Sequence, residues 1–122
     1  MSAEQTPTRP GQIRDSYIEL IDHHLEDLVK GTADEMFEIE DFAKLLFIHP
    51  RHLSNTIREV TGTSACGIYQ VKILDVAKRL LADPGKSIRD IAFQLTFEPT
   101  QFTKWFKRQA GITPLAYRKQ IL

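Results

Sequence analysis

Ile39-Glu40-Asp41-Phe42-Ala43-Lys44-Leu45-Leu46 and, 49 residues later, Ile88-Arg89-Asp90-Ile91-Ala92-Phe93-Gln94-Leu95 are two copies of one pattern. The register continues without a gap: Pro50, Leu53, Ile57, Arg58 and Gly62 fall on Pro99, Phe102, Phe106, Lys107 and Gly111. Isoleucine, aspartate, alanine, leucine, proline and glycine are identical across the copies at 39/88, 41/90, 43/92, 46/95, 50/99 and 62/111. The apolar pairs Phe42/Ile91, Ile48/Phe97, Leu53/Phe102 and Ile57/Phe106 keep helical spacing. An internal repeat reveals the unit of construction. Here that unit reads as a short helix, a tight turn and a second helix opened by proline, whose missing N–H costs nothing in a first turn.

Working outward, residues 12–29 read as an amphipathic helix. Ile13, Tyr17, Leu20, Ile21 and Leu28 share one face, and acidic side chains fall mostly on the other. Gly31 ends it, and an acidic loop runs through Glu38. The first repeat predicts helices at about 39–46 and 50–60. Ser64 is a candidate N-cap for a helix over about 65–81, carrying Tyr69, Ile73, Val76, Ala77 and Leu80 on one stripe. Asp83-Pro84-Gly85 is a turn, and Ser87 with Asp90 resembles a capping box. The second repeat predicts helices at about 88–95 and 99–109, and Thr113-Pro114 starts a last one to Gln120. Nothing reads as a strand. The expected fold is all-α, with about seven helices. The expected organisation is a disordered tail over 1–11, a first helix-turn-helix subdomain over 12–63, a linker helix over 64–82 and a second subdomain over 83–122.

Composition narrows the function classes. No apolar run approaches the roughly 18 residues of a membrane span. The polar start, Met1 to Gly11, lacks a signal peptide's basic and apolar regions, so a cytoplasmic location is expected. Cys66 is the sole cysteine, which excludes an intramolecular disulfide and fits a reducing compartment. His49 and His52 sit three apart without a third ligand in spacing, so surface histidines at a helix start are the better reading than a metal site. No phosphate-binding glycine loop and no nucleophile–base pairing has supporting context, so neither an enzyme nor a cofactor is expected.

Charge is zero overall but unevenly spread. Residues 1–41 carry three basic against eleven acidic side chains, and residues 42–122 carry thirteen against five. The basic part coincides with both repeats, where phosphate neutralisation would be needed. In a helix-turn-helix the first helix braces and the second enters the major groove, whose edges distinguish all four base pairs. Ala43 and Ala92 supply the small residue at the crossing. With Leu53 and Ile57 buried, the first unit exposes Arg51, His52, Ser54, Asn55 and Arg58. With Phe102 and Phe106 buried, the second exposes Thr100, Gln101, Thr103, Lys104, Lys107 and Arg108. Any helical bundle shows polar outer faces; two such units in register within the basic part favour double-stranded DNA.

The second repeat and its continuation, Ser87-Ile88-Arg89-Asp90-Ile91-Ala92, Phe97, Phe102-Thr103-Lys104-Trp105-Phe106-Lys107-Arg108 and Gly111-Ile112-Thr113-Pro114-Leu115-Ala116-Tyr117-Arg118, resemble the signature of the AraC/XylS transcription regulators. Val71-Lys72-Ile73, Ala77 and Leu80-Leu81 resemble that family's linker helix. The resemblance covers about Ile13 to Lys119. It implies a seven-helix domain that puts two recognition helices into successive major grooves, about 34 Å apart, joined by a helix about 24 Å long. It assigns base reading to Arg51, Ser54, Asn55, Thr100, Thr103 and Lys104. Phosphate contacts are assigned to Arg58, Lys107, Arg108 and the helix N-terminus at Ser87.

Three departures stand out. Phe47 and Thr96 occupy turn positions where the family often has glycine, so a different turn geometry is expected. His49 and Glu98 replace the usual serine cap before each recognition helix. The second unit is one residue shorter after Phe97. There is no room for a ligand-sensing domain, so the chain resembles either the family's stand-alone members or an excised DNA-binding portion; Met1 with the helix at 12–29 mildly favours the former, and a monomer on DNA is expected. Activation would require a surface for RNA polymerase, and no residue pattern marks one. The competing expectation, motivated by the zero net charge, is a protein-interaction module docking through the acidic N-terminal helix.

Overall fold

The computed structural model describes residues 9–122. Among the described residues there are seven helices and no strand: α1 (Pro10–Lys30), α2 (Ile39–Leu45), α3 (Pro50–Thr61), α4 (Ala65–Leu81), α5 (Ile88–Gln94), α6 (Pro99–Ala110) and α7 (Pro114–Ile121). The tail expected over 1–11 lies outside the described residues up to residue 8. Helix α1 starts at Pro10, two residues before the expected Gln12, because proline suits a first turn.

Punctuation in the sequence sets the other ends. Pro50, Pro99 and Pro114 each open a helix, and Gly31, Gly62 and Gly111 take left-handed φ of 80°, 75° and 87° just past one. Ser64 Oγ accepts the Gly67 amide at 2.9 Å and Ser87 Oγ accepts that of Asp90 at 3.0 Å, so both serines cap as expected.

The chain forms two compact units, and α1 and α4 each contribute to both. Unit 1 takes residues up to His24 and Phe37–Tyr69. Its core centres on Phe42, fully buried, with edge-to-face contacts to Tyr17 at 5.5 Å and Tyr69 at 5.1 Å. Ile13, Ile21, Leu46, Leu53 and Ile57 complete it, and Ala43 has no exposure. The Tyr17 hydroxyl donates to the Ala65 carbonyl at 2.7 Å, and the Tyr69 hydroxyl to the Phe37 carbonyl at 2.9 Å. Burial, reinforced for Tyr17 by the nearby Cys66, holds both phenols well above their usual range.

His24 belongs to this core as well. Its ring stacks on Phe37 at 3.8 Å, and its Nε2 accepts the Phe37 amide at 2.9 Å. That nitrogen therefore carries no proton. Leu20, expected on the buried face of α1, is only half-buried.

Unit 2 takes Leu25–Met36 and Gln70–Leu122. Leu25, Leu28, Ile73, Ala77, Leu81, Ile91, Ala92, Leu95, Phe102, Trp105 and Phe106 form its core. The Gln94 side chain donates to the Val29 carbonyl at 2.8 Å, Arg79 pairs with Glu26 at 2.7 Å, and Arg118 donates to the Leu81 carbonyl at 3.0 Å. The Trp105 indole N–H donates to Gln70.

The turns hold the main correction. Phe47 (φ 60°) and Thr96 (φ 66°) adopt the left-handed conformation despite their side chains. The expected change of turn geometry does not occur. Hydrogen bonding shows why: Phe47 and Ile48 amides donate to the Lys44 and Ala43 carbonyls, each at 3.1 Å. Thr96 and Phe97 amides donate to those of Phe93 and Ala92 at 2.9 and 2.8 Å. Both bonds of a Schellman ending are thus made twice, and each unit bears one strained residue.

That strain is testable. A left-handed non-glycine residue costs about 1–2 kcal/mol, while glycine returns about 0.5–1 kcal/mol through unfolded-chain entropy. Thr96→Gly should therefore stabilise the protein by about 0.5–1 kcal/mol, raising Tm by about 4 °C per kcal/mol. Thr96→Ala, which keeps a Cβ, should gain less. Urea and thermal unfolding of the three proteins measure this, and a Thr96→Gly variant less stable than wild type contradicts it.

Candidate nucleic-acid interface

Each unit presents its second repeat helix in the same way. In α3, Leu53, Thr56 and Ile57 are buried, Arg51, His52, Asn55 and Arg58 are exposed, and Ser54 is half-buried at the edge. In α6, Phe102, Trp105 and Phe106 are buried, Thr100, Gln101, Lys104, Lys107 and Arg108 are exposed, and Thr103 takes the edge position. The 49-residue repeat is therefore a repeat of exposure, with 51, 54, 55 and 58 matching 100, 103, 104 and 107.

Helical geometry sorts these positions. Seven residues return to within about 20° of the start, so Arg58 continues the direction of Arg51 two turns on, about 10 Å along the axis. Arg51, Asn55 and Arg58 form the outermost stripe of α3; Thr100, Lys104 and Lys107 form that of α6. Arg108 leaves this stripe and shares a flank with Gln101.

The start of each helix is built differently. His49 caps α3: its Nδ1 accepts the Arg51 amide at 3.0 Å, so the residue that replaces serine still caps. Glu98 makes no side-chain cap on α6. There the ring of Phe97, the residue before the cap, packs on Phe102 at 5.6 Å and on Trp105 at 5.0 Å. Phe97 and Phe102 stand at the two positions of a hydrophobic staple.

Beside α3 lies a groove of about 390 Å³, wholly within unit 1. Arg51, Ser54, Asn55 and Arg58 line it together with Pro50, Ile39 and Glu40 of α2, and Ser64, Ala65 and Cys66 at the start of α4. The structure thus brings the expected base readers of the first unit and Arg58 to one concave surface. Glu40 and the Ser64–Cys66 wall were not singled out as contacts in the sequence. Neither Arg51 nor Arg58 forms an ion pair among the described residues.

The remaining site residues fall as follows. Thr100, Thr103, Lys104 and Lys107 line the outer side of α6, and Ser87 is exposed at the start of α5. Among the described residues no group of three or more His, Cys, Asp or Glu is placed to hold a metal ion, and no helix is long and apolar enough to cross a membrane.

A family model described as a helix-turn-helix domain matches residues 42–120. Among curated proteins, the "Uncharacterized HTH-type transcriptional regulator YtdP" of Bacillus subtilis (strain 168) is 32% identical over 109 residues, 88% of this chain and 13% of that protein. The chain spans from 13% to 36% of the length of this and two further Bacillus subtilis regulators that it matches. An AraC-type transcriptional regulator from Chromobacterium violaceum shares the fold, with TM-score 0.72, 22% identity, and 89% of this chain and 91% of that one covered. The DNA-binding domain of AdpA, solved with a target DNA, matches with TM-score 0.69 and 26% identity over 86% of this chain and 91% of that one. Nothing in these comparisons supports a docking module built on α1.

Lys104 and Lys107 are expected to differ in role along α6. Lys104→Ala should weaken a preferred duplex more than a random one. Lys107→Ala should weaken both alike and reduce the slope of log affinity against log salt by about one unit. Titrations of both variants on both duplexes measure this; equal, small effects throughout remove α6 from base reading.

Proposed function

The chain belongs to the AraC-type helix-turn-helix family, and from that membership we propose that it binds double-stranded DNA sequence-specifically and regulates transcription. The observation that carries this is the repeated exposure pattern: two helices, 49 residues apart, each bury an apolar face and present the same four positions outward. Those positions hold Arg, Ser, Asn, Thr and Lys, the groups that hydrogen-bond base edges and phosphates.

In this proposal Arg51, Ser54, Asn55, Thr100, Thr103 and Lys104 read bases. Arg58, Lys107, Arg108 and the α5 N-terminus at Ser87 hold phosphates. Residues 12–63 and 83–122 act as the two reading subdomains, with 64–82 as the linker helix, and they address successive major grooves. One copy suffices, since a single chain carries both reading helices. The protein does no chemistry of its own and works in the bacterial cytoplasm, where its DNA is. RNA polymerase is the partner that activation would require.

The units differ in charge. Among the described residues, unit 1 carries five basic and seven acidic side chains, and unit 2 eleven and eight. Non-specific attraction therefore comes mainly from unit 2, and discrimination in unit 1 rests on hydrogen bonding.

Selection from random duplexes at two salt concentrations tests the proposal. A bipartite motif with half-sites about one helical turn apart is the expected result; no enrichment, with binding indifferent to salt, would refute it. On the selected site, Arg51→Ala should cost about 1–3 kcal/mol and relax preference at one base pair of one half-site, because a guanidinium grips guanine O6 and N7 together. A loss spread evenly over all sequences reassigns Arg51 to phosphate.

A further inference from the structure

The start of α3 is held by a bond that a proton breaks, and the start of α6 is not. The Leu53 amide makes the first bond of α3, to the His49 carbonyl at 3.0 Å. Pro50 has no N–H, so Arg51 and His52 carry the first-turn amides that find no acceptor within the helix. His49 Nδ1 takes the Arg51 amide at 3.0 Å. A ring nitrogen that accepts carries no proton, so the capping imidazole is neutral, with its proton on Nε2. In an imidazolium both nitrogens are donors, and the ring has no lone pair left to offer the amide.

The neighbouring charges act in the same direction. Arg51 and His52 follow on α3, Lys44 stands in the last turn of α2, and Glu40 of α2 and Cys66 of α4 line the groove onto which Pro50 and Arg51 open. Glu40 is the one carboxylate among them. A new positive charge on His49 meets the positive end of the α3 dipole beside the Arg51 guanidinium. At the matching position of unit 2, Glu98 makes no cap, and the start of α6 is held by Phe97 on Phe102 and Trp105, none of which titrates.

We propose, on the DNA-binding reading above, that His49 is a positioning residue for Arg51 and makes base reading by unit 1 conditional on pH, while base reading by unit 2 is not. The neutral ring fixes the backbone from which the Arg51 side chain reaches a base edge. As pH falls the ring gains a proton, the cap opens, and Arg51 is carried on a frayed first turn. The charge gained by His49 also attracts phosphate of any sequence. Acid therefore erodes discrimination twice, by weakening preference at the unit 1 half-site and by favouring binding elsewhere.

The test compares affinities for the selected duplex and for duplexes altered in one half-site, at about pH 8 and about pH 5.5, which span imidazole titration. The half-site that responds to Arg51→Ala is that of unit 1. There, wild type should lose about fivefold of its preference in acid, the worth of one helix cap, and keep its preference at the other. His49→Ser, which caps without titrating, should hold the preference at both pH values, and His49→Ala should lack it at both. His52→Gln should follow wild type. Because His23, His24 and His52 remain in His49→Ser, its constancy clears them. In the free protein, the Arg51 amide resonance should follow the titration of the His49 ring.

A wild-type preference at the unit 1 half-site that does not change with pH overturns the proposal. So does a His49→Ser variant that loses preference in acid, a pH dependence removed by His52→Gln, or a loss shared equally by both half-sites. An Arg51 amide resonance indifferent to the His49 ring overturns it with no duplex present. Wild-type protein without sequence preference at about pH 8 refutes the DNA reading instead, and the amide titration then still decides whether the cap opens.

Discussion

One left-handed non-glycine residue per unit, at the turn between the two repeat helices, aims α3 and α6. Helices α2 and α5 end in the same two backbone hydrogen bonds, and the chain can make them only if Phe47 and Thr96 take positive φ. The turn then leaves two residues before Pro50 and Pro99 start the next helix on a fixed bearing. Glycine would occupy these positions without strain, yet phenylalanine and a β-branched threonine stand there. Phe47 gains no burial in exchange, its side chain being 78% exposed. The stability of the surrounding elements holds the conformation: Ala43 and Ala92, without exposure, leave the brace close to its partner, and the aromatic cluster on Phe42 fixes the brace itself in unit 1.

What the sequence made legible follows from this punctuation. Proline at a first turn, glycine just past a last one and serine caps are local signals, and all seven helices begin and end within two residues of where those signals put them. The exposed faces of α3 and α6 were equally legible, because a 3.6-residue period with large apolar anchors leaves little choice of buried side. The turn geometry was misjudged from the side chains alone. Hydrogen bonds made by the backbone outweigh about 1–2 kcal/mol of local strain, and a propensity argument at a single residue does not contain them.

Other features were hidden because they depend on residues distant in sequence. His24 falls at the buried spacing of Tyr17, Ile21 and Leu28, so its position was readable; its partner, the Phe37 amide 13 residues away, was not. Trp105 lay inside a quoted motif, but only the fold brings Gln70, 35 residues earlier, to its indole. The division into units was hidden for the same reason. The acidic stretch 25–36 belongs with unit 2, so the contrast between an acidic beginning and a basic remainder becomes a milder one between units. The groove wall at Ser64–Cys66 is likewise anchored from a distance, by Tyr17, 48 residues before Ala65.

The two copies of the repeat have kept one geometry by different means. In unit 1 a polar cap holds the start of α3: His49 Nδ1 takes the Arg51 amide, which ties the backbone of an expected base reader to the residue before the helix. In unit 2 the carboxylate at the same position makes no cap, and the staple of Phe97 on Phe102, backed by Trp105, replaces it. A polar cap is short and local, whereas an aromatic staple spreads its hold over the helix and the core beneath. Mutations in the unit 2 core therefore reach the start of α6 directly. In unit 1 the start of α3 is set by His49, and the Phe42 cluster governs the brace. The same outward pattern of side chains thus stands on a hydrogen-bonded footing in one unit and an aromatic one in the other, which lets each surface vary without losing the helix that carries it.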